Sequence, residues 1–408
     1  MSPLHKTGTL QLLQGGREFF PALVKALDAA HTWVQLETYI FDFHGAGAEV
    51  AEALVRAAGR GVTVQVLVDG IGTSPLPPQW REKFAKAKVD WCVYSPLGTG
   101  LSGLGLLVPE RWRRLHRKLC VVDQHTVFCG GINVLDDFYD PNHGELQAPR
   151  VDFSVAVTGP LAGQAAEAMA LLWWRVQAGY SARQRHMNAA WEEFKEAGYG
   201  GRTGTPPLAA ANSIGAAGPK AALILRDNLR NRSSIERAYR KAIGKAHHEI
   251  IIANAYFLPG GKLRRALISA TRRGVRVTLL LQGRYEYFMQ NHAARPVYGA
   301  LLEAGVEIHE YEAGFLHAKV AVVDGHWATV GSSNLDPLSL LLAREANVVI
   351  VDAEFAAALR TRLLDAIQSH AQALSGEALS RRTWSQRFYD YLAFAVMRGM
   401  LFLTGRRY

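Results

Sequence analysis

At 408 residues, with 49% hydrophobic and 20% charged side chains, the chain has a globular composition and the length for two domains, which excludes a disordered or fibrous protein. Three cysteines, Cys92, Cys120 and Cys129, are too few and odd in number for a disulfide framework; with no leader-like opening segment, a reducing cytoplasm is expected. No apolar run reaches about 18 residues, so no spanning helix is expected, while a net charge of +10 and a pI near 9.5 favour polyanionic partners, nucleic acid or an anionic lipid surface.

In chain order, Gln35-Leu36-Glu37-Thr38-Tyr39-Ile40-Phe41 reads as a short apolar strand emptying into aromatics. The Ala-rich stretch 48–59 predicts a helix and residues 60–68 a strand. Residues 101–109 form an apolar, glycine-rich stretch directly before Arg111-Trp112-Arg113-Arg114. This pairing of apolar wedge and cationic collar suits either a membrane-dipping loop or a buried surface loop. His116-Arg117-Lys118 then opens a strand that ends at Asp123. His and Lys two apart on a strand share a face, so both can reach one phosphate. A return strand, 126–129, leads to Gly130-Gly131-Ile132-Asn133, where glycine permits positive φ and close backbone approach and the asparagine amide can donate to a phosphate oxygen. Arg150-Val151-Asp152-Phe153 enters another strand, and a helical stretch, 161–194, carries Trp173-Trp174.

The Gly- and Pro-rich stretch 195–220 breaks every periodicity. Beyond it the same order returns. Residues 252–257 stand against 35–41, aligning Asn254 with Glu37; a helix at 261–272 and a strand at 273–281 follow. His317-Ala318-Lys319 opens the second strand ending in aspartate, Asp324, and a return strand at 327–330 leads to Gly331-Ser332-Ser333-Asn334. Arg344-Glu345-Ala346-Asn347 enters the last strand, and a helix is predicted at 353–374. Asp324-Gly325 is a strong type I′ hairpin signal and Asp123-Gln124 a weaker one. The predicted domains are therefore 1–200 and 221–370, with a linker at 201–220 and a basic, amphipathic, membrane-associating tail at 371–408, in which Arg398 interrupts the apolar run and favours an interfacial helix over a span, the alternative being a helix packed on the protein's own core.

Lys118, Lys319, Asn133 and Asn334 are suited to stabilise the charge that a phosphodiester transition state spreads over its non-bridging oxygens. No carboxylate or Cys/His cluster has metal-ligand spacing; His247-His248 reads as a surface pair, and neither metal nor cofactor is expected. Asp123 and Asp324 have two readings, partner of a catalytic histidine or hairpin-turn residue bonded to backbone, and spacing alone favours the turn. By themselves Asp152 and Glu345 read as strand-entry partners of Arg150 and Arg344.

The duplicated motif resembles the phospholipase D superfamily over about residues 8–370. The resemblance implies an α/β fold of two tandem phospholipase D-like domains, each a mixed β-sheet flanked by helices, pseudo-two-fold related with one shared active site. It implies a catalytic set of His116, Lys118, Asp123, His317, Lys319 and Asp324, supported by Asn133, Asn334, Asp152 and Glu345. One histidine would form a phosphohistidine and the other protonate the leaving oxygen, with His116 expected as the nucleophile. More narrowly, residues 37–41, 116–118, 130–133, 316–319, Trp327 and 331–336 are similar to the short type B branch of bacterial cardiolipin synthases, from which Gln124 and Ala343 depart. That likeness implies a phosphatidyltransferase that makes cardiolipin from phosphatidylglycerol with release of glycerol, peripheral on the cytoplasmic side of the inner membrane. The expected partners are anionic phospholipid and the membrane surface, with no nucleic acid and no obligate protein partner. A phospholipase D-type hydrolase or a nucleic-acid phosphodiesterase is the alternative, because the same groups serve either.

Overall fold

A computed structural model of the chain describes residues 3–95, 113–141, 143–183, 218–227, 231, 233–284, 288–336, 343–377, 381 and 383–403. The apolar loop read at 101–109, most of the linker read at 201–220 and the last residues of the tail lie outside them. The chain divides into two compact units. One comprises Ser2–Asp136 and Ser154–Leu223, the other Asp137–Phe153 and Ile224–Tyr408.

The first unit contains β1 (Leu10–Gln14), α1 (Gly15–Asp28), β2 (Trp33–Thr38), α2 (Ala46–Gly59), β3 (Thr63–Asp69), α3 (Pro78–Ala87), β4 (Val89–Tyr94), β5 (Leu119–Val122), β6 (Thr126–Gly130), β7 (Phe153–Thr158) and α4 (Pro160–Arg183). Its strands lie in the order β1-β7-β6-β5-β2-β3-β4. β2, β3 and β4 are parallel, joined by helical crossovers, whereas β2-β5, β5-β6 and β6-β7 are antiparallel. Parallel strands covered on both faces need apolar residues on both, and Val64, Val66, Leu67 and Val68 of β3 are all buried. Val64, Val66 and Val68 face the stripe Phe19, Phe20, Leu23 and Leu27 of α1 together with Val50 and Leu54 of α2. On the opposite face, Leu172 and Trp173 of α4 cover Leu67, Cys92 and Tyr94. Each such side chain contributes about 1.5–3 kcal/mol on burial.

The second unit contains α5 (Ser234–Lys245), β8 (Glu249–Asn254), α6 (Gly261–Arg272), β9 (Arg276–Gln282), α7 (Phe288–Glu303), β10 (Glu307–Tyr311), β11 (Lys319–Val323), β12 (Trp327–Gly331), β13 (Ala343–Val351), α8 (Ala353–His370), β14 (Ala371–Ala373) and α9 (Trp384–Leu403). The order β13-β12-β11-β8-β9-β10-β14 repeats the succession β7-β6-β5-β2-β3-β4 of the first unit and adds an edge strand. That edge corrects the helix read to residue 374: the helix ends at His370, Ala371 is extended, and residues 371–373 pair with β10. Among the described residues no helix is long and apolar enough to cross a membrane.

Pairing fixes which residues of the two units correspond. Asp123 N–H donates to Trp33 O and Asp324 N–H to Glu249 O, with Val34 opposite Val122 and Ile250 opposite Val323. Glu37 lies opposite Leu119, and the residue opposite Val320 at the same place is Ala253. Aligning Glu37 with Asn254 is therefore off by one residue. The shared aromatic-tyrosine pattern suggests that alignment, but in a strand one residue is a change of face.

Candidate active site

Both motif strands end in the same turn. Asp123 and Gln124 have φ of 51° and 52°, Asp324 and Gly325 of 49° and 63°, the pair of positive values a type I′ hairpin requires. The Asp123 carboxylate accepts the N–H groups of His31, Thr32 and Trp33 at 2.8–2.9 Å and the Thr32 hydroxyl at 2.8 Å. Asp324 likewise accepts from His247, His248 and Glu249 at 2.8–2.9 Å. Burial alone would raise both carboxyls, but the backbone donors outweigh it and hold them below the ordinary carboxylate range. These contacts belong to a turn that clamps the incoming strand. Every hydrogen bond described for the Asp123 and Asp324 carboxylates goes to that clamp.

At the other end of β5 stand His116 and Lys118. Lys118 is buried; its Nζ donates to His116 O at 2.9 Å and lies 5.4 Å from the centre of the Tyr39 ring. The Tyr39 and His116 rings are 5.1 Å apart. Arg117, between them, points into the protein, where its Nη1 is 3.5 Å from Glu37 Oε2, both side chains buried. Asn133, at the end of the return strand, accepts the Ile40 N–H on its Oδ1 at 3.1 Å, which turns its NH2 group away from that backbone. Sequence reasoning missed Tyr39 and Arg117 as members of this cluster. Their signals were the aromatic at the end of β2 and a charged residue at an inward-facing motif position.

The second unit repeats the cluster with different support. Lys319 is fully buried and its Nζ donates to His317 O, the same backbone hook as in the first unit. His317 Nδ1 is 2.6 Å from Asp152 Oδ2, and Lys319 Nζ is 3.9 Å from the same oxygen. Asp152 Oδ1 accepts the Phe153 N–H at 2.8 Å, and His317 N–H donates to Val151 O at 2.8 Å, so carboxylate and ring are both set by backbone. A carboxylate oxygen can only accept, so Nδ1 carries the proton and Nε2 is left without one in the neutral ring. Asp152 thus sits beside His317, on the Asp137–Phe153 segment that packs with the second unit.

Strand register makes Asp152 and Glu345 equivalent. Ser154 lies opposite Gly130 and Asn347 opposite Gly331, and each acid stands two residues before its pairing residue. Glu345 is fully buried and accepts the Ser332 hydroxyl at 2.5 Å; Ser332 Oγ in turn accepts the Ala346 N–H at 3.1 Å. Ser332 was not anticipated. Asn334 is buried, and its Oδ1 has no hydrogen-bond partner among the described residues. A half-turn of that amide exchanges oxygen for NH2 and leaves a donor in the same place. The glycine of this turn, Gly331, is absent from the positive-φ set; a Cβ there would lie 2.2 Å from the Asn347 side chain, so close strand approach selects it, not φ.

Elsewhere in the second unit a groove of about 1400 Å³ runs between α7, α8, β10 and α9. None of the motif residues lines it, and its Arg276, Arg295 and Arg360 are engaged by Glu307, Glu310 and Glu249. Among the described residues no group of three or more His, Cys, Asp or Glu is placed to hold a metal ion.

Two stretches, 23–144 and 239–366, match the family model described as "Cardiolipin synthase, PLD-like domain". The chain is 37% identical to cardiolipin synthase B of Shigella flexneri, across 97% of this chain and 89% of that protein. It is 29% identical to a probable cardiolipin synthase of Bacillus subtilis (strain 168), across 88% of this chain and 65% of that one. Among solved structures, the phosphatidylserine synthase of Haemophilus influenzae Rd KW20 superposes with a TM-score of 0.66 over 99% of this chain and 95% of its own, at 13% identity, a likeness of fold alone.

Proposed function

Since the chain belongs to the cardiolipin synthase family of PLD-like proteins, we propose that it is a phosphatidyltransferase that joins two phosphatidylglycerol molecules into cardiolipin and releases glycerol. The observation that carries this reading is the recurrence, in two sheets of the same strand order, of a histidine and a lysine on one motif strand with an asparagine after the return strand.

In the first half-reaction His116 attacks phosphorus. The bond from phosphorus to the glycerol oxygen breaks, and His317, protonated on Nε2, gives that oxygen its proton. Phosphatidyl is then held on His116. In the second, neutral His317 takes the proton from the hydroxyl of an incoming phosphatidylglycerol as that oxygen attacks phosphorus and the P–N bond breaks. The Asp152 contact supports the second role, because a carboxylate on Nδ1 stabilises the imidazolium and keeps Nε2 aimed outward. Lys118, Lys319, Asn133 and Asn334 offer fixed donors for the phosphoryl oxygens. The clamp contacts of Asp123 and Asp324 give them a structural part. Transfer in preference to hydrolysis needs an acceptor alcohol at hand, which suits a protein held peripherally on a phospholipid surface, the cytoplasmic side of the inner membrane in this reading.

The test is product identity. Purified protein given vesicles containing labelled phosphatidylglycerol should yield cardiolipin and free glycerol. Phosphatidic acid as sole product would make it a hydrolase, and DNA cleavage without lipid turnover would replace the lipid reading.

A further inference from the structure

The helix α9 is inside out for a helix at a water interface. Its one acidic residue, Asp390, is buried and lies 2.6 Å from His292 Nδ1 of α7. Ala393 is buried in the same core as Val297 and Leu301 of α7, with Phe394 packed against it. The outward face carries Trp384, Phe388, Tyr391, Leu392 and Val396, respectively 82%, 52%, 65%, 47% and 45% exposed. Positions 384, 388, 391, 392 and 395–396 form one helical stripe. Trp384 and Phe388 stack on each other at 5.9 Å, still in solvent. Of the ten large hydrophobic side chains exposed among the described residues, six lie on this helix. Exposing such a stripe while burying a carboxylate opposes the ordinary sorting by water, so the stripe is built for another medium.

Charge selects the medium. From residue 381 to the end of the sequence there are six arginines (Arg381, Arg382, Arg387, Arg398, Arg406 and Arg407) and a single acid, the buried Asp390, while Arg381 is paired at 2.6 Å with Glu377 just before this stretch. A second copy of this strongly basic segment would meet charge of its own sign. Aliphatic Leu392 and Val396 within the stripe offer nothing to a stacked base, whereas aromatics flanked by arginine match the headgroup region of an anionic bilayer. We propose that α9 is an in-plane anchor, docked on the second unit through Asp390 and His292, whose Trp384-Phe388-Tyr391-Leu392-Val396 stripe enters the interface of an anionic phospholipid bilayer. This rests on and deepens the lipid reading above by naming the surface that meets the substrate's membrane.

The test separates binding from turnover. Wild type and the triple variant Trp384→Ser/Phe388→Ser/Tyr391→Ser are floated with phosphatidylcholine vesicles with and without phosphatidylglycerol, and both are melted and assayed on phosphatidylglycerol in detergent micelles. The expected result is a loss of partitioning onto phosphatidylglycerol vesicles of at least about tenfold, with unchanged melting temperature and unchanged micellar turnover. Arg381→Glu/Arg387→Glu should weaken the same partitioning and flatten its salt dependence. Unchanged partitioning of the triple variant, a fall in its melting temperature, or loss of a wild-type dimer on substitution would overturn the proposal. If the wild type floats through this stripe yet makes no cardiolipin, the lipid-transfer reading fails and the anchor stands.

Discussion

A proton on Nδ1 of His317 is useful only if it stays there, and Asp152 is what holds it, at 2.6 Å with its other oxygen tied to Phe153 N–H. Asp152→Asn keeps the shape but offers an amide that can donate to Nδ1 and drive the proton to the reactive nitrogen. A fall in kcat of about a hundredfold or more is expected, with KM and melting temperature little changed; unchanged kcat would show that the carboxylate only shapes the strand entry. Glu37 and Arg117 make a different point. Both are buried and 3.5 Å apart, while the second unit carries Ala253 and Ala318 at the corresponding places. Charge partners that are present together in one repeat and absent together in the other behave as one unit. Arg117→Ala should therefore cost about 3–5 kcal/mol by stranding a buried carboxylate, and adding Glu37→Ala should recover a good part; urea titrations of the two singles and the double measure it, and additive losses would contradict the pairing. The pair was not legible beforehand because the Glu37 correspondence depends on a one-residue register that only the pairing with Leu119 reveals.

At the scale of elements, the two hairpins carry most of what the sequence says about local structure. The spacing favoured turn roles for Asp123 and Asp324, and each closes a type I′ turn while clamping the strand beside it. Because both carboxyls are held below the unfolded carboxylate value, the unfolded chain takes up protons first as pH falls. Their stabilisation is complete above about pH 4 and is lost as pH drops through the folded values. Asp123→Asn/Asp324→Asn should therefore be less stable at neutral pH and show a shallower loss between about pH 4 and 3; an acid limb as steep as wild type would assign that slope elsewhere. Gln124 holds a φ of 52° that Gly325 holds at less cost. Gln124→Gly should raise stability by about 1 kcal/mol, read from the urea midpoint, and a lower midpoint would mean that its side chain contributes more than the strain. Helices α2 and α6 and strands β3 and β9 follow from periodicity, since each buries an apolar stripe. The end of α8 does not, because Ala371–Ala373 is recruited by the open edge of β10, a tertiary effect outside any local pattern.

Over the whole molecule, repetition is what made both fold and chemistry readable. Two sheets with the same strand order place His116 and His317 before corresponding strands, and register places Asp152 and Glu345 at corresponding positions. What repetition hides is difference: Glu37-Arg117 against Ala253-Ala318, and a second-unit helix whose apolar face is turned outward. Those depend on packing partners that lie far away in sequence. In the proposed function the two motifs serve one transfer reaction on a phospholipid. The most direct measurement is cardiolipin formation from labelled phosphatidylglycerol by wild type, His116→Ala and His317→Ala under identical conditions. Wild type should make cardiolipin and release glycerol, and each variant should fall at least about a thousandfold. Either variant retaining about half of the wild-type rate would mean two independent sites and contradict the shared reaction.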